Sequence, residues 1–259
     1  MSSAYLPEYI SNAEFYLSRL VPALIQGALD WRRVQELCVA FRQRGVCSLL
    51  LQGIAKPLQI NMMRSGGAFL HHLRATDDEQ KVTGHAKPFF DAVGGGFWEC
   101  SREIAIHSRM RWNPDHEYEE DFLYVQFLMK HFFLGADQSE CEDILSRCEQ
   151  VVEGGDQTRA KLCRAFLAGN AAQVDEGIVV LLARRAELVE GMIERGALSE
   201  ELWSWLRYFS GEGLALLRLA ARAGLPLGRT YLHVPEIAWT APELPFDPDA
   251  WRLLDYPSS

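Results

Sequence analysis

Apolar residues recur at helical spacing along most of this chain, and the runs are punctuated by helix-stop residues. This pattern constrains the fold more than any other feature of the sequence. Phe122, Val125, Leu128, Met129, Phe132 and Phe133 form one such stripe, introduced by an acidic first turn and closed by Gly135. Asp30 can cap a helix in which Val34, Leu37, Cys38 and Phe41 share a face. No segment alternates apolar and polar residues between turn signals, as a half-buried strand requires.

The chain divides into about nine or ten helices on this pattern. Residues 8–27 form a first helix, with a kink or break expected at Pro22. Gly45 and Ser65-Gly66-Gly67 read as interruptions of the next two helices, and residues 75–87 as a mobile surface loop. Gly94-Gly95-Gly96 marks a fault where another helix can approach closely. Helices at 138–153, 156–169 and 171–195 are divided by Gly154-Gly155 and Gly169-Asn170. Short connections between so many helices predict an all-α fold of stacked antiparallel helical hairpins, a solenoid-like domain over residues 1–225. The irregular, Pro-rich C-terminal tail, residues 226–259, is expected to pack on it through Trp239, Phe246, Trp251 and Leu254.

At 259 residues and 48% hydrophobic content the chain can bury a sizeable core. With 26 Lys and Arg against 35 Asp and Glu, its net charge of −9 disfavours phosphate backbones and favours a basic partner. The six cysteines lack a Cys-x-x-Cys pair and read as reduced core thiols of a cytoplasmic protein. No apolar run suits a signal peptide or a membrane span.

Few residues suggest catalysis. His71, His72, Asp77 and Asp78 have the right chemistry for a metal-dependent hydrolase, but adjacent histidines on a helix point about 100° apart. Glu103 and His107 read as an i, i+4 surface pair. Gly94-Gly95-Gly96 lacks the Lys-Ser/Thr of a phosphate loop, and Ser210-Gly211-Glu212-Gly213 is no nucleophile elbow. No cofactor is indicated. What remains is acidity: Asp115, Glu117, Glu119, Glu120 and Asp121 around Tyr118, and Glu140, Glu142 and Asp143 at the start of the following helix. Such carboxylates favour a helix N-terminus, and they can also steer a cationic protein partner toward an aromatic anchor, here Tyr118. If neighbouring hairpins stack, the two sets form one patch.

The stretch 198–239, LSEELWSWLRYFSGEGLALLRLAARAGLPLGRTYLHVPEIAW, begins with a Ser199-capped helix whose apolar face carries Trp203, Leu206 and Phe209. A helix ending in Ala-Arg-Ala-Gly-Leu follows, then an extended Tyr-Leu-x-x-Pro-Glu-Ile segment, the two helices packing as a hairpin. With KLCRAFLAGNAAQVDEGIVVLLARRAELV before it, this order over residues 160–240 resembles the immunity protein 49 family, antidotes in bacterial polymorphic-toxin systems. The resemblance implies a cytoplasmic, non-catalytic protein that binds and occludes a cognate protein toxin, in the setting of bacterial competition and type VI secretion. Under it a nuclease or nucleotide-modifying toxin, no nucleic acid, no membrane, and a monomer or weak homodimer are expected. It carries over no catalytic residue. A helical-repeat adaptor for peptide or protein partners, or the metal-dependent hydrolase, are the alternatives.

Overall fold

The computed structural model describes residues 5–255. The fold is all-α. Its helices are α1 (Leu6–Ile25), α2 (Trp31–Gln52), α3 (Ala55–Ala75), α4 (Lys87–Gly94), α5 (Trp98–His107), α6 (Glu119–Met129), α7 (Gln138–Val151), α8 (Thr158–Leu167), α9 (Ala171–Glu194), α10 (Glu200–Leu206), α11 (Gly211–Arg222) and α12 (Glu236–Thr240). A π-helical turn, Lys130–Leu134, extends α6, and 3-10 turns lie at Asp78–Gln80 and Ala250–Arg252. Among the described residues the only β pairing is an isolated bridge between Tyr231 and Val234. No helix there is long and apolar enough to cross a membrane.

Local chemistry sets the helix ends. The side chains of Asp30, Asp137, Asn170, Ser199 and Ser210 accept from backbone N–H groups two or three residues into their helices. Each thereby satisfies a donor that a helix start leaves open. Gly135 and Gly224 stop α6 and α11 with φ of 69° and 72°, a left-handed conformation that costs glycine little.

Glycines inside helices do something else. Gly45 and Gly66, expected as interruptions, lie within unbroken helices, because each is a point of close approach. A Cβ on Gly45 would stand 2.9 Å from Cβ of Asn61, and one on Gly66 would stand 2.9 Å from Cβ of Ala92 and 3.2 Å from Sγ of Cys100. Their missing side chains let α2 meet α3, and α3 meet α4 and α5. A Cβ on Gly94 would likewise stand 3.2 Å from Cγ of Leu214 in α11. Pro22 also leaves α1 unbroken; it occupies the last turn, where little helix remains to disrupt.

Neighbouring helices pair along α1–α2–α3 and α6–α7–α8–α9, but the order of the chain does not govern the rest. α3 is central, touching α2, α4, α5, α12 and the 250–252 turn. α11 returns from late in the sequence to pack on α4. α10 packs chiefly on α2 and α9 rather than forming the expected hairpin with α11. Its buried aromatic is Trp205, at 1% exposure, whereas Trp203 is only half-buried: residues two apart lie about 200° apart around the helix, so only one of the two indoles faces the interior.

At the centre, Arg42 of α2 makes a bidentate ion pair with Asp91 of α4, with both N···O distances 2.6 Å. Ser65 of α3 donates to the same carboxylate at 2.5 Å. Burial works against the Arg42 charge, and Asp91 outweighs it, holding the guanidinium's pKa above its ordinary value. All six cysteines are buried and unbridged. Burial, then the nearby Asp91 charge, pushes the Cys38 thiol up to about 12, far from reactivity at neutral pH. From the tail, Tyr231, Val234, Ala238, Ala250 and Trp251 enter the core, and Trp239, Phe246 and Leu254 pack against it. The four residues after 255 lie outside the described part.

Candidate interaction surface

The nine sequence-chosen residues do not form one patch. α6 and α7 pack antiparallel: Glu119 at the start of α6 pairs with Arg147 late in α7, and Lys130 just past α6 pairs with Glu140 at the start of α7. The acids at 115–121 and those at 140–143 therefore lie at opposite ends of the hairpin, separated by the length of α6, about 16 Å. The expected single patch fails because consecutive antiparallel helices begin at opposite ends.

Half of the eight carboxylates are also already neutralised within the fold. Glu119 takes Arg147 at 2.8 Å, and Asp121 takes Arg159 at 2.7 Å. Glu142 shares Arg164 with Glu149. Arg159 further reaches Glu212 at 3.1 Å and lies over the Tyr124 ring, so Asp121 belongs to a tie between α6, α8 and α11.

Glu117 is a correction of a different kind. It is buried, and its carboxylate accepts from the backbone N–H of Gly84 and, at 3.1 Å, from that of Asn113. Burial raises its pKa above the ordinary carboxylate value, and the backbone donors pull the other way. Glu117 is thus a clamp that fastens the 81–85 segment to the turn before α6. Thr83 adds a hydrogen bond to the Arg109 carbonyl at 2.7 Å, and Val82, Thr83 and Ala86 are buried. The segment expected as a loose surface loop is pinned at its centre.

Asp115, Tyr118 and Glu120, with Asp143 farther along α7, remain exposed without a polar partner among the described residues. Tyr118 is 75% exposed, the largest value among the exposed large hydrophobics. Beside it Trp112, 38% exposed, is held by its indole N–H donating to the Glu117 carbonyl at 3.1 Å. Sequence reading missed Trp112, although an aromatic directly before Asn113-Pro114 in a polar run was a usable signal. The result is a knuckle over residues 112–120, at the start of α6, that exposes aromatic and acidic side chains around the buried Asn113 and Glu117.

The residues of the hydrolase alternative meet a cavity of about 520 Å³ between the α1–α2 turn and the end of α3. His71, His72 and Asp77 line it together with Asp30, Glu79 and His116, while Asp78 does not. His71 packs on Trp251 at 5.0 Å between ring centroids, and His72 lies near Trp31. Among the described residues no three His, Cys, Asp or Glu side chains are placed to hold a metal ion together. Glu103 and His107 are 3.7 Å apart, and Glu103 is engaged by Arg74 at 2.6 Å.

No protein-family model, curated protein or solved structure matches the chain.

Proposed function

We propose that this chain is a cytoplasmic, non-enzymatic immunity protein that binds one toxin and blocks it by occlusion, with the 112–120 knuckle as its contact surface. The observation that carries this reading is Tyr118, 75% exposed and flanked by the unpaired carboxylates of Asp115 and Glu120. An exposed tyrosine can anchor a partner, and the acids beside it, without internal partners, are free to meet a cation. The net charge of −9 adds a long-range field that speeds encounter with a basic enzyme, such as a nuclease. The order of helices over residues 160–240 that resembles the immunity protein 49 family supports the same class. An effective antidote needs an interface of about 1,200–2,000 Å² or more, larger than the knuckle, so flanking parts of α6 and α7 join it.

The test is co-expression with the product of the adjacent gene, read by survival of the host and by co-elution on size-exclusion chromatography. Tyr118→Ala combined with Glu120→Lys is expected to leave the thermal midpoint within about 2 °C of the parent, since exposed sites contribute little stability, while weakening complex formation at least about tenfold. Full protection by that double variant would remove the knuckle as the contact surface. Turnover of a small metabolite by the isolated chain would remove the non-enzymatic reading altogether.

A further inference from the structure

The 520 Å³ cavity has a lining chemistry of its own. Its charged residues are Asp30, Asp77 and Glu79, joined by three histidines, and no lysine or arginine borders it. The Asp77 and Glu79 carboxylates have no hydrogen-bond or ion-pair partner among the described residues, while Asp30 caps α2 through the Arg33 N–H. The nearby cations already have protein partners, and Arg109 sits on the Glu79 carbonyl itself at 3.0 Å. Arg109 donates to main-chain carbonyls, Lys81 faces Asp78, Arg74 pairs with Glu103, and Arg252 pairs with Asp249.

His72 supplies the second, independent observation. It is 8% exposed and lines the cavity, and burial followed by the neighbouring His71 lowers its pKa, so the ring is neutral at pH 7. A neutral imidazole has one N–H and one bare acceptor nitrogen. Its ring nitrogens lie near only one protein group, the Thr76 hydroxyl, at 3.3 and 3.4 Å. That hydroxyl already donates its single proton to the His72 carbonyl at 2.8 Å. It can accept from the ring but has nothing left to give, so the second ring nitrogen has no protein donor. Trp31 completes the wall with an indole, a surface that attracts cations.

We infer that this cavity is a binding site for a small organic cation bearing N–H groups, an amine, amidine or guanidine. The N–H donates to His72, the positive charge is balanced by Asp77 and Glu79, and the apolar part lies against Trp31. A volume of about 520 Å³ falls in the range of small-ligand sites. The inference is separate from toxin binding and stands or falls without it.

Isothermal titration of the full chain at pH 7.5 with benzamidine and with agmatine tests it, with benzamide and benzoate as the neutral and anionic isosteres of benzamidine. Saturable one-site binding of at least one cation is expected, at least about tenfold tighter than benzamide, with none for benzoate. Asp77→Asn with Glu79→Gln, both at exposed positions, is expected to weaken the cation about tenfold or more and leave the thermal midpoint of the free protein unchanged. His72→Phe is expected to abolish the preference for N–H donors. Failure of both cations to saturate, equal binding of the isosteres, or indifference to the double variant overturns the assignment.

Discussion

At the scale of single residues, burial decides role more than residue type does. Glu117 and Glu120 are both glutamates in one acidic run, yet one is buried on two backbone donors and the other faces solvent unpaired. Removing the Glu117 carboxylate would orphan those donors, the costly way to lose a hydrogen bond. Trp203 and Trp205 differ in the same manner. Trp205→Ala is expected to lower the unfolding free energy by roughly 3–5 kcal/mol, and Trp203→Ala by much less, measured by denaturant titration. Trp205→Phe should cost less than Trp205→Ala, because it retains most of the ring and removes a buried indole N–H that finds no acceptor. Helical spacing put an apolar face on this helix but did not say which neighbour would cover which indole. That depended on where α2 and α9 arrive.

At the scale of elements, small residues set how closely helices approach. Gly66 faces Ala92 and Cys100, neither of which has a flexible end to swing away. Gly66→Ala gains about 1 kcal/mol in helix propensity and loses more to crowding. A net loss of roughly 1–2 kcal/mol is expected, seen as a lower denaturant midpoint with unchanged slope. A neutral or stabilising result would mean that α3 can move away from α4 at no cost. The same close packing explains why Gly45 and Gly66 misread as helix breaks: a glycine that ends a helix and one that admits a neighbour look alike until the neighbour is known.

At the scale of the whole molecule, the helices are tied by charge as well as by apolar burial. The Arg42, Asp91 and Ser65 network joins α2, α4 and α3, and Arg159 joins α6, α8 and α11. Four histidines also link stability to pH. Burial is the largest cause of the lowered pKa at His71, His72, His131 and His233; a neighbouring arginine adds to it at His71 and His233, and the adjacent His71 at His72. The folded chain therefore binds fewer protons at these sites than the unfolded chain does. Their contribution is present above the ordinary value of 6.5 and is lost as pH falls through the lowered folded values. Glu117, with its raised pKa, acts in the opposite direction: its contribution is present below the ordinary value of 4.5 and is lost as pH rises through the raised folded value. The thermal midpoint is expected to fall between pH 7 and 5.5, and His131→Leu to flatten the fall. A midpoint that holds steady or rises over that interval contradicts the assignment of neutral, partly buried rings.

The sequence alone determined that this chain is helical and where most helices end. A 3.6-residue apolar period, caps such as Asp30 and Asp137, and stops such as Gly135 and Gly224 act within a few residues of chain. Tertiary structure alone decided which carboxylates remain free, which tryptophan is buried, and that His72 faces a cavity beside Asp77 and Glu79. Each of these depends on a segment distant in sequence: Arg147 and Arg159 for the acids of α6, α2 and α9 for the packing of α10, and the α1–α2 turn for the cavity. Local periodicity carries no information about such partners, because they are chosen by the packing of whole helices.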